Sequence, residues 1–151
     1  MLREQLSDAL KVAMKARDQV TVSTVRLILA ALKDRDIATR GGDKDDGQGE
    51  DEILQLLTTM VRQRRESIAL YEQGKRDDLA AREAAEVVVI KRFLPRQLDE
   101  TEVATVIGEV IDELGASSLK DMGRTMGVLK EKYAGQMDFA KASGLIKQRL
   151  A

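Results

Sequence analysis

Apolar residues recur at three- and four-residue intervals along most of the chain, which predicts helices throughout. Leu2, Leu6, Leu10, Ala13 and Met14 outline a first amphipathic helix, and Arg17-Asp18-Gln19 interrupts it. Val22, Val25, Ile28, Leu29 and Leu32 resume the period, with Leu27, Ala30 and Ala31 filling the sides, until about Ala38–Thr39. A helix apolar on most of its circumference belongs at the centre of a bundle. Ile53, Leu57, Met60, Val61, Ile68 and Tyr71 predict a third helix from about Asp51 to Glu72, with Gly74 as a left-handed cap. Leu79, Val87, Ile90, Phe93 and Leu94 predict a fourth from Asp77 to Phe93, its N-terminus favoured by Asp77 and Asp78.

The chain's one proline, Pro95, disfavours helical geometry in the residue before it, so the fourth helix should stop near Leu94. Asp99 then caps a fifth helix, with Glu102 as its capping-box partner. Val103, Val106, Ile107, Val110, Ile111 and Leu114 form its apolar stripe. Ser117 or Ser118 should cap a sixth helix, with Leu119, Met122, Met126, Leu129 and Tyr133 facing inward. Gly135 closes it, Asp138 caps a seventh, and Phe139, Ala142, Ile146 and Leu150 point inward. The expected fold is all-α: an N-terminal four-helix part, residues 1–95, joined by a proline hinge to a C-terminal three-helix part, residues 96–151.

Composition narrows the chemistry. The chain contains no cysteine and no histidine, which removes disulfides, thiol nucleophiles, the commonest general base and the commonest zinc ligand. Two tyrosines and two phenylalanines give little support for base stacking. The charged start, Met1 to Lys11, reads as neither signal peptide nor membrane span, and the expected location is cytoplasmic. Net charge is −1, with 18 basic and 17 acidic residues up to Leu98 and 7 and 9 after it, so an anion-binding surface must be local. The segment RGGDKDDGQGED invites an EF-hand reading. Counted from Asp43, however, Gln48 stands where glycine is needed and Leu54 where glutamate is needed, so it reads as a solvated loop. Neither a metal-ligand cluster nor a phosphate-cradling glycine loop is visible, and no catalytic residue or cofactor is expected.

Two constellations remain. Arg64 falls on the stripe between Val61 and Ile68, and Glu83 and Glu86 fall on the stripe between Leu79 and Ile90. An antiparallel turn near Lys75 sets position 64 opposite position 86, so Arg64, with Arg65 nearby, should pair with Glu86 and Glu83. Such a cluster could supply a catalytic carboxylate or an anion-binding arginine. A partly buried ion pair that fixes helix register is the preferred reading. On the sixth helix, Lys120, Gly123, Arg124, Gly127 and Lys130 share the face opposite the apolar stripe. Two interior glycines cost about 1 kcal/mol each relative to alanine, so something should approach that face closely. A neighbouring helix would do, and so would a phosphate backbone flanked by the cations.

The runs VRLILAALKDRDI, RQRRESIALYEQGKRDDLAAREAAE, FLPRQLDETE and DMGRTMGVLKEK, in this order, resemble the YqeY-like family, which is related to the tail of GatB, a subunit of tRNA-dependent amidotransferase. The acidic loop and Gly144 depart mildly from the family's pattern. The resemblance implies that the C-terminal part is GatB-tail-like and contacts tRNA through Lys120, Gly123, Arg124, Gly127, Lys130 and Lys132. It implies as partners tRNA and amidotransferase or aminoacyl-tRNA synthetase proteins, without a membrane. It also implies kinship with a carbon–nitrogen ligase using glutamine as amido-N donor, although the chemistry of GatB belongs to a domain not seen here. A protein-interaction scaffold is the remaining alternative.

Overall fold

A computed structural model describes residues 1–39 and 49–151, and the first half of the calcium-loop comparison counted from Asp43 lies outside these. The described residues form seven α-helices and a single 3₁₀ turn, with no strand. They divide into two compact units, Met1–Pro95 and Arg96–Ala151. None of the helices described is long and apolar enough to cross a membrane.

The first unit holds α1 (Leu2–Ala16), α2 (Gln19–Ala38), α3 (Glu50–Gln73) and α4 (Asp77–Lys91). Asp18 starts α2 by accepting from the backbone N–H of Thr21 at 3.2 Å, and from its hydroxyl at 2.6 Å. The core joins Leu6 of α1, Val25 and Ile28 of α2, Leu57 of α3 and Ile90 of α4, all fully buried. Each such side chain removed from water contributes about 1.5–3 kcal/mol. Two helices leave through a left-handed residue that is not glycine, Arg17 at φ 59° and Lys75 at φ 58°. The expected role of Gly74 is thereby corrected: it has φ −81° and stays near the helix, while Lys75 makes the left-handed turn. Arg76 N–H then donates to Tyr71 C=O at 2.8 Å and Lys75 N–H to Glu72 C=O at 3.1 Å, satisfying the last carbonyls of α3. α4 ends at Lys91, earlier than the pattern suggests. Its continuation tightens into three-residue bonds, from Arg92 to Val89, Phe93 to Ile90 and Leu94 to Lys91, ahead of Pro95.

The second unit packs α5 (Glu100–Leu114), α6 (Met122–Lys132) and α7 (Phe139–Leu150) around Ile107, Val110, Leu129, Ala142 and Ile146. Asp99 accepts from Glu102 N–H at 2.8 Å, and Glu102 accepts in return from Asp99 N–H at 3.2 Å, closing a capping box. Arg96 clamps the Glu102 carboxylate at 2.7 and 3.1 Å. Ser118 stands at the cap as expected, but the turn it opens is not yet α-helical. A 3₁₀ turn, Leu119–Asp121, precedes α6, and the Asp121 carboxylate accepts from the N–H groups of Ser117 and Ser118 at 2.9 and 3.3 Å. That tighter turn swings Leu119 outward to 47% exposure, and Thr125 takes an inward position instead. Gly135, at φ 75°, makes the turn after α6, and Asp138 caps α7 by accepting from Ala140 N–H at 3.0 Å.

Candidate functional site

The outward flank of α6 follows from its inward one. Thr125 and Leu129 are buried, with Met122 and Met126 half-buried beside them, which turns Gly123, Arg124, Gly127 and Lys130 to solvent. Lys120, in the preceding turn, and Lys132 are exposed too. A methyl group placed on Gly123 or Gly127 would meet nothing within 4 Å. Among the described residues, no neighbouring helix accounts for the two glycines. Arg124 contacts Asp121 at 3.2 Å, and Lys132 reaches across to Glu113 of α5 at 3.2 Å. Both pairs are solvent-exposed, and such pairs exchange readily for a stronger anion. The Asp121 carboxyl lies below its usual range chiefly because two backbone N–H groups hold it, with Arg124 a lesser cause. Lys120 and Lys130 join no ion pair among the described residues.

Two features of this flank escaped the sequence reading. Glu131, exposed and four residues beyond Gly127, places a carboxylate within the cationic face. The signal was available in the helical spacing. The unit's charges are also segregated: residues 99–118 carry six acidic and no basic side chains, and residues 119–151 carry seven basic and three acidic. Counting the whole segment conceals that separation.

In the first unit, α3 and α4 bring Arg64 to Glu86 at 2.9 Å, with Glu83 at 4.0 Å from the same nitrogen. The Arg64 side chain is 13% exposed and also donates to Met60 C=O at 3.4 Å. Arg65 does not join this cluster: it is exposed, one residue along the helix and therefore turned off the α3 stripe. The Glu83 carboxyl is pushed above its usual range by burial first and by the charge of Glu86 second, with Arg64 opposing. Arg64, Glu83 and Glu86 line an open cavity of about 340 Å³ together with Leu27 of α2, Tyr71 of α3 and Leu79 and Arg82 of α4. The Ser67 hydroxyl, also in the wall, donates to Gln63 C=O at 3.2 Å and faces no histidine that could activate it. Among the described residues, no group of three acidic side chains is placed to hold a metal ion.

Comparison with known proteins places this architecture. The family model described as Yqey-like protein matches residues 3–150. Altered inheritance of mitochondria protein 41, mitochondrial, from Lachancea thermotolerans is 30% identical over 148 residues, covering 94% of this chain and 75% of that protein. Its namesake from Kluyveromyces lactis is 26% identical over 143 residues, covering 94% and 72%. The namesake from Saccharomyces cerevisiae is 34% identical over 89 residues, 59% of this chain, and the match spans 46% of its length. With nearly every residue inside the match, the chain belongs to the YqeY-like family.

Proposed function

We propose that the protein is an RNA-binding or adaptor module that engages tRNA through the outward flank of α6. One observation carries the reading: Gly123 and Gly127 keep an open strip free of side chains between Lys120, Arg124 and Lys130, and among the described residues no atom comes within 4 Å of a methyl group placed on either. A glycine strip lets a backbone come close, and cations on its edges attract phosphates without reading sequence. Both aromatic residues of the unit, Tyr133 and Phe139, pack against its core, which favours backbone contact over base stacking. The acidic surface of α5 turns the cationic helices into the preferred side for an anion.

An adaptor of this kind would deliver tRNA to an amidotransferase or an aminoacyl-tRNA synthetase. Amide formation from glutamine would be the partner's chemistry, since the chain contains neither cysteine nor histidine to supply or activate a nucleophile. A cytoplasmic location is part of the proposal. The yeast relatives are named as mitochondrial proteins, and tRNA occurs in both compartments.

A mobility-shift titration with tRNA at several salt concentrations tests the reading. Four phosphate contacts give a slope of about −3 in log affinity against log salt. Lys120→Ala combined with Arg124→Ala should weaken binding and flatten that slope. Affinity unchanged by the pair excludes this face, and capture of a protein that survives nuclease treatment favours the scaffold alternative.

A further inference from the structure

The cavity between α2, α3 and α4 is unlike the α6 flank: it is concave, partly apolar, and lined by two arginines, Arg64 and Arg82, and two glutamates, Glu83 and Glu86. Arg64 is the single cation at its base, and it lies between two carboxylates, 2.9 Å from Glu86 and 4.0 Å from Glu83. Its close contacts go to Glu86 and to the carbonyl of Met60, so Glu83 receives only a second share of its charge. The other cation of the wall, Arg82, is exposed, where water screens it. Leu27 and Leu79 supply apolar surface facing these groups, and Tyr71 adds an aromatic ring. A volume of about 340 Å³ suits a small organic molecule.

We propose that this cavity binds a small alkylammonium ion, its charged head donating to Glu83 and Glu86 beside Arg64 and its alkyl stem lying on Leu27 and Leu79. The ligand supplies a close positive charge to Glu83, which Arg64 approaches only to 4.0 Å while it holds Glu86 at 2.9 Å. Its hydrocarbon covers Leu27, which is otherwise 49% exposed. The upward displacement of the Glu83 carboxyl agrees with this geometry, because burial beside Glu86 makes its ionised form costly until a cation arrives. An anion fits less well: the one buried guanidinium is already engaged. The register-fixing ion pair of Arg64 holds Glu86 closely and Glu83 only at 4.0 Å, and it leaves the open volume unused.

The test is a titration of the intact protein with n-butylammonium, followed by backbone amide NMR, with n-butyrate and n-butanol as probes of the same size. A five-atom probe should bind in the range of about 10 mM. Shifts should concentrate at residues 64–71 and 79–86. Glu83→Gln should weaken n-butylammonium about tenfold, as loss of a charged hydrogen bond does. Arg82→Gln, at an exposed position that folding tolerates, should tighten it about twofold by removing a repelling charge. Leu27→Ala should weaken n-butylammonium and leave methylammonium unchanged. The proposal is overturned if n-butyrate or n-butanol binds as well as the ammonium, if the shifts fall elsewhere or are absent, or if both charge variants bind like the parent.

Discussion

The α3–α4 hairpin and helix α6 use similar ingredients, arginines close to acidic residues on a helix, and dispose of them in opposite ways. In the hairpin, Arg64 turns inward, is nearly sealed from water and finds Glu86 at 2.9 Å. In α6, Arg124 and its neighbours turn outward, and the small residues between them leave an unfilled strip. The difference lies in where each cation falls relative to the apolar stripe of its own helix. On the stripe, a charge must be paired to be tolerated, and it fixes register. Opposite the stripe, the same charge costs little and stays available to a partner.

The sharpest way to break this contrast is to remove one member of the inward pair. Glu86→Gln should destabilise the first unit by about 2 kcal/mol, because Arg64 loses its partner at 2.9 Å and keeps only Glu83 at 4.0 Å. Arg64→Met together with Glu86→Leu should recover much of that loss in urea unfolding, and additive single and double losses would mean that the two side chains do not act as a pair.

The outward face should respond with the opposite sign. Gly123→Ala and Gly127→Ala should each stabilise the protein by about 1 kcal/mol, since alanine is the better helix former and nothing stands in the way of a methyl group. They should lower tRNA affinity at the same time. Destabilisation in thermal melts would mean that some group does approach the strip within the chain.

Glu102 probes an exposed clamp, between those two extremes. Arg96 first, and then the Asp99 N–H, hold its carboxyl down to about 2, against an ordinary 4.5. A depressed acid stabilises the fold above its unfolded value and loses that contribution as pH falls. The second unit should therefore weaken as pH drops from about 4.5 to 2. Glu102→Gln should remove this part of the acid dependence, and added salt should shrink it.

Gly108→Ala should have the smallest effect. A methyl group there would sit 2.8 Å from an Nη atom of Arg149, the mobile end of a long side chain that can move aside. The gain in helix propensity offsets that displacement, for a net change within about 0.5 kcal/mol of zero. A larger loss in thermal melts would show Arg149 to be pinned across α5.

Much of this was legible in the sequence, for reasons that are local. Leu, Ile and Val at helical spacing mark the helices, and Asp99 with Glu102 announces its capping box three residues apart. The inward placement of Arg64 follows from its position between Val61 and Ile68, and counting eleven residues each way from Lys75 sets it opposite Glu86. What escaped depends on geometry that spacing does not carry. The left-handed residue after α3 is Lys75 rather than the adjacent Gly74, a shift of one position that propensity argues against. The 3₁₀ turn before α6 rotates Leu119 out of line with a stripe counted at 3.6 residues per turn. The cavity needs three helices at once, and Leu27 reads as ordinary helix filling until α3 and α4 are set beside it.

The left-handed exits bear on the denatured chain as much as on the native one. Arg17 and Lys75 occupy backbone positions where glycine would be more relaxed once folded, yet glycine would give the unfolded polypeptide many more arrangements to lose. Each cation also stands at the electronegative tail of a helix, and α3 has no basic residue in its own final turn. Lysine at the bend between α3 and α4 thus restrains the open chain and neutralises the helix tail, at the middle of the three residues, Gly74 to Arg76, that join the helices carrying the Arg64 pair.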